Sequence, residues 1–173
     1  MARGILRMLA ALVLVAALGL GVLWIAARSS DGPLGPLAGG ALVAGELVPP
    51  PEDWSFLREV ETVELQLLEP PRSRTTWVVV SGGRAYIPAG FMTVPLWKQW
   101  PRQALADGRA LLRVAVRRHP VRLERVEDPG ERDRVVRALG EKYGLGEDPG
   151  PEALWIFRLE PRGEAAPPGG PSA

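Results

Sequence analysis

The sequence predicts a small, mainly β (α+β) domain: a six-stranded antiparallel barrel with one or two helices, preceded by an N-terminal transmembrane helix. Three observations carry this. Short apolar runs alternate with polar residues between Trp54 and Glu160, one helix has both of its ends marked, and Met8 to Ala27 is uncharged. A chain of 173 residues has room for one such domain and its appendages.

The N-terminal run, MLAALVLVAALGLGVLWIAA, would span roughly 30 Å as a helix, the thickness of the hydrocarbon core. Arg3 and Arg7 precede it, while Arg28 is offset by Asp31, so the positive-inside rule places the N-terminus in the cytoplasm. The expectation is a single pass through the inner (cytoplasmic) membrane, lipid contact through residues 8–27 and a periplasmic or otherwise extracytoplasmic domain. A cleaved signal peptide is the competing reading, with Ala27-Arg28-Ser29 as its small-x-small site.

The boundaries read as an anchor over 1–30, a Gly/Pro-rich linker over 31–53, the barrel over 54–160 and a disordered tail over 161–173. The linker is too rich in Gly and Pro for a helix or central strand, yet Leu34, Leu37, Leu42, Val43, Leu47 and Val48 give it reason to pack on the domain. The tail PRGEAAPPGGPSA has almost nothing to bury.

Glu61 to Leu67 alternates Val63, Leu65 and Leu67 with polar residues, the pattern of a half-buried strand. Thr75 to Val80 is β-branched and apolar throughout, which predicts a central strand. Gly82-Gly83 supplies the positive φ of a tight hairpin, and Arg84 to Ile87 returns. Ala110 to Val116 and Val121 to Val126 form a second hairpin around Arg117 to Pro120, and Ala153 to Leu159 is a closing strand. Asp128 caps a helix with Pro129 in its first turn and Glu131 at capping-box spacing; Val135, Val136, Leu139 and Tyr143 share a face, and Gly144 ends it. A weaker helical stretch lies within Val94 to Leu105.

Composition closes several chemistries. With no cysteine there is no disulfide, thiolate nucleophile or cysteine metal site, and the single histidine, His119, leaves no imidazole-rich metal centre. No metal is expected, and His119 beside Pro120 reads as an ordinary strand-edge residue. The 21 basic and 20 acidic residues give a net charge of +1, without the basic footprint of a nucleic-acid binder. Arg109, Arg113, Arg117 and Arg118 read as members of cross-strand ion pairs. No acid, base or nucleophile stands out, so catalytic residues are unknown.

The order of elements resembles the split β-barrel flavoproteins, including the pyridoxamine-phosphate-oxidase-like proteins and the deazaflavin-dependent nitroreductase relatives. The likeness runs from Val63 to Leu159 and is carried by the apolar strand after Arg-Thr-Thr, the glycine turn, the Trp-rich helix, DGRALLRV and VEDPGERDRVVRALGEKYG. It implies a split barrel whose cofactor is flavin mononucleotide or a deazaflavin. Its phosphate would be held by Arg74, Thr75 and Thr76 entering a strand and by Lys98 after the next, with Trp97 able to stack on the ring. Hydride chemistry would belong to the bound ring. It also implies a homodimer.

Two functions stay open. The first is an anchored redox protein acting on a quinone or other membrane-soluble substrate. The second is a cofactor-free module that docks a protein or a small apolar ligand outside the inner membrane. The second is favoured by LEPPRSR, which puts Glu69 where the deazaflavin branch has a Gly-Arg-Lys-Ser-Gly-like loop.

Overall fold

The structure, a computed structural model, describes residues 2–35, 37–93 and 99–163; the expectations for Trp97, Lys98 and most of the C-terminal tail fall outside these residues. Helix α1 (Ala2–Ser29) is followed by the two-residue strand β1 (Glu46–Leu47) and a 3-10 turn at Ser55–Glu59. Strands β2 (Thr62–Leu67), β3 (Arg72–Trp77), β4 (Val79–Ser81) and β5 (Arg84–Ala89) then lead to α2 (Trp100–Ala106). The hairpin β6 (Arg109–Val114) and β7 (Arg117–Arg125), helix α3 (Pro129–Tyr143) and β8 (Trp155–Pro161) complete the order.

Seven strands run β3-β2-β6-β7-β8-β5-β4 across one curled antiparallel sheet, a half-barrel, and β1 pairs in parallel with β7. The architecture is the α+β form expected, with a seventh principal strand. The extra strand comes from Thr75 to Val80. That run is not one central strand: Thr75 to Trp77 end β3 at one end of the sheet, and Val79-Val80 begin β4 at the other. Between them Val78 leaves both ladders, and α3 satisfies its backbone. Its N–H donates to the Tyr143 hydroxyl at 3.1 Å, and its carbonyl accepts from Lys142 Nζ at 2.9 Å. The apolar triplet Val78 to Val80 therefore reports burial at a bend rather than a central position.

The turns follow their chemistry. Gly82 and Gly83 have φ of 58° and 76°, the left-handed pair a two-residue hairpin needs, with Ser81 opposite Arg84. The β6–β7 turn is at Ala115-Val116, with Ala115 at φ 51°, and Arg117 to Pro120 lie in the strand. No glycine marks that reversal, so the basic cluster beside it was read as the turn.

Residues opposite one another in a ladder share a face. Leu65, Leu67, Leu112, Val121 and Phe157 fill the concave face with Trp54 and Trp100, each burial stabilising by about 1.5–3 kcal/mol for an aliphatic side chain. Outside the far end, α3 lays Val135 and Leu139 on Val79, Tyr86 and Ile156. Its caps form as the sequence predicts: Asp128 Oδ1 accepts from Glu131 N at 2.7 Å, and Gly144 turns left-handed at φ 63°. Helix α2 covers Trp100–Ala106 within the weaker helical stretch.

Helix α1 is long and apolar enough to cross a membrane, from Arg7 to Ser29, and it stands clear of the barrel except at its last turn. There Ala27 is buried and Ser30 N and Oγ both bond its carbonyl. Residues 31–35 and 37–51 then lie as a strap across β2, β6 and β7. Leu42 is buried with its N–H on the Gln66 amide at 2.6 Å, Gly39 bridges Ser73, and Arg118 donates to the carbonyls of Leu42 and Gly45. Gly40 must be glycine, since a Cβ there would stand 2.6 Å from the Arg28 carbonyl.

Candidate functional site

Strand β3 carries the predicted site residues and parts them. Arg74 lies opposite Leu65 and Thr76 opposite Val63, so both belong to the concave face; Thr75 lies opposite Glu64 on the convex face. Arg74 is drawn in by its neighbours: its guanidinium stands 5.3 Å from the centre of the Trp100 ring, which itself tilts against Phe157 at 5.6 Å. No carboxylate pairs with it among the described residues. Its Nε and that of Arg162 are the two buried side-chain nitrogens there with no hydrogen-bond partner. Burial without a counter-charge lowers its pKa to about 10.

Beside Arg74, a groove of about 550 Å³ opens along the edge of β3. Thr75, Thr76 and Trp77 line it as three consecutive residues, which is what a strand shows edge-on, and Phe91 and Leu154 face them. Trp77 is stacked on Tyr143 at 4.6 Å and 13°, which leaves its other face open. Phe91 holds a left-handed φ of 61° while 69% exposed, a conformation an aromatic residue adopts at a cost. Among the described residues of its lining Glu147 is the one that carries a charge, and it disfavours an anion beside it. Thr76 links the two parts: it lines the groove and shares a face with Arg74, roughly 7 Å along the strand.

The structure thus joins Arg74, Thr76 and Thr75 along one strand edge and leaves only Arg74 among them with a positive charge. Trp97 and Lys98 lie outside the described residues. Sequence reading did not single out Trp77 or Phe91. The aromatic stack on α3 and a positive φ at a non-glycine residue both depend on contacts distant in the chain. Of the four arginines expected in cross-strand ion pairs, Arg113 makes one, with Glu64, and also holds Asp31. Arg109 instead pairs with Asp107 just before its own strand at 2.7 Å, Arg118 donates to backbone carbonyls of the strap, and Arg117 makes no ion pair among the described residues. Arg113 meets its carboxylate on β2 rather than across the β6–β7 hairpin. His119 is buried in β7, an interior strand, not at an edge.

The chain matches no protein-family model, and no curated protein matches it. Among solved structures it is similar to a protein of Listeria innocua assigned as a pyridoxamine 5'-phosphate oxidase, with 14% identity over 63% of this chain and 90% of that one and a TM-score of 0.49. It is also similar to a NimC/NimA family protein of Clostridium acetobutylicum, with 14% identity, 60% and 76% coverage and a TM-score of 0.46. An F420 reductase is similar at 19% identity, 66% and 96% coverage and a TM-score of 0.44. Like the resemblance in the sequence, these are similarities of fold.

Proposed function

We propose that this is a membrane-anchored redox protein that binds a flat, phosphate-bearing cofactor of the flavin mononucleotide or deazaflavin class. The observation that carries the reading is Arg74: a guanidinium turned into the half-barrel with an unpaired buried Nε and, among the described residues, no carboxylate beside it. Burying a charge without a partner is costly, and a phosphate supplies the partner with two or three charge-assisted hydrogen bonds. Thr76 adds a hydroxyl on the same face. Glu147 keeps the anionic end out of the groove, so the ring would lie past Thr76 against Trp77 and Phe91. When bound, the ring supplies hydride transfer; the residues of this chain bind, orient and exclude water. The apolar groove suits a membrane-soluble partner, and α1 would hold it near the bilayer.

The test is to extract the full-length protein from membranes in detergent and record its visible spectrum. We expect a bound chromophore, or a fluorescence change on adding flavin mononucleotide or reduced deazaflavin. Arg74→Met should weaken that binding by about ten- to a hundredfold. A colourless protein unresponsive to both would overturn the reading and leave the groove to a cofactor-free module.

A further inference from the structure

A second cavity, of about 400 Å³, shares no lining residue with the groove. It lies at the β6–β7 turn, walled by Pro51, Phe56, Val114, Val116, Arg117 and His119. Most of its wall is apolar, and Phe56 and Val116 are 52% and 74% exposed.

Its one buried polar group is the chain's single histidine. His119 is 6% exposed, and its Nδ1 stands 3.1 Å from the Pro49 carbonyl. A carbonyl oxygen can only accept, so the proton is on Nδ1 and Nε2 of the neutral ring is an acceptor. Nε2 has no partner among the described residues, and it is not sealed from solvent. His119 lines the cavity, and Nε2 is the ring nitrogen left to meet a ligand there. The imidazole is fixed in place: Trp54 meets it edge-on at 5.3 Å and 77°, and Phe56 stacks on Trp54 at 5.9 Å and 26°. One preset acceptor thus belongs to a cavity with an aromatic wall, and Arg117 is among its lining residues.

We propose that this cavity binds a phenol-type head group, its ring seated between Phe56 and Val116 and its hydroxyl donating to His119 Nε2. The chemistry selects for that class. A neutral hydroxyl is the donor that suits Nε2: an ammonium would meet the charge of Arg117, and a plain hydrocarbon would leave Nε2 unpaired. The volume suits a ligand of one or two rings. The site is independent of any cofactor at Arg74.

The lone histidine makes the test direct, because isotope-labelled histidine gives a single imidazole in the nitrogen spectrum of the full chain in detergent. β-Naphthol should move the Nε2 resonance saturably, leave Nδ1 in place, and bind about tenfold tighter than naphthalene. His119→Phe should abolish the preference for the hydroxyl. Val116→Trp, at an exposed position, should fill the cavity and abolish binding of both probes. An unmoved Nε2 resonance, or a hydroxyl preference that survives His119→Phe, overturns the proposal. Should His119→Phe fail to fold, Val116→Trp decides: a naphthol shift undiminished in that variant places the probe elsewhere.

Discussion

Arg113 and Arg74 are two arginines on the same curled sheet, one on its convex face and one on its concave face. Arg113, under the strap, donates through Nε to Glu64 and through Nη1 to Asp31 at 2.9 Å, while Asp31 also receives the amides of Val43 and Ala44. Among the described residues Arg74 has a tryptophan ring beside it and no anion. A third cation, Lys142, shows what the fold does when it buries a charge for its own sake. Its Nζ donates to the carbonyls of Leu57, Val60 and Val78 at 2.9, 2.6 and 2.9 Å. Where this protein needs a cation for structure it supplies acceptors; at Arg74 the described residues leave the buried Nε without one.

That contrast can be broken by substitution. Arg113→Met should cost most, about 2–3 kcal/mol in denaturant unfolding. It leaves Glu64 and Asp31 facing each other and frees the strap, with the loss moderated because both carboxylates are partly open to water. Lys142→Met should cost about 1–2 kcal/mol, since the carbonyls of Leu57, Val60 and Val78 each lose a charged donor. Arg74→Met should leave the unliganded protein as stable as before or slightly more so, because it removes an uncompensated buried charge. If instead Arg74→Met destabilises as much as Arg113→Met, the arginine is structural and the contrast fails.

Acid sharpens the same comparison. Burial alone would raise the Asp31 carboxyl, but the Val43 amide, Arg113 and the Ala44 amide outweigh it and hold its pKa below the ordinary 3.8. A carboxyl depressed in the folded state contributes stability that is whole above its unfolded value and lost as pH falls through the folded one. The thermal midpoint should therefore hold above about pH 4 and fall below it, and Asp31→Asn should flatten that decline. An identical acid slope in the variant would show that the strap is held by other contacts.

Much of this fold was legible in the sequence because its signals are local. The alternation of Val63, Leu65 and Leu67, the Gly82-Gly83 turn and the Asp128 cap each depend on residues within one strand or helical turn. The break at Val78 was not legible, because its cause is Lys142 and Tyr143, more than sixty residues away. The turn at Ala115-Val116 lacked the glycine that usually marks one. At the site, the residue types around Arg74 pointed to an anion. The alternation that sends Thr75 to the opposite face from Arg74 sets only Thr76 beside it, and the missing counter-charge could not be read without coordinates. For His119 the sequence showed a lone ring beside a proline; its fixed tautomer and the cavity come from Pro49, Trp54 and Phe56.

The bend at Val78 has a mechanical consequence. Because β3 and β4 are halves of one stretch of chain and lie at opposite ends of the sheet, neither border can peel away without tugging on the other. Fraying that would start at a loose rim is instead shared by the whole sheet, with α3 as the rivet at the bend that joins the two borders. Such a body should come apart in one step rather than by shedding strands.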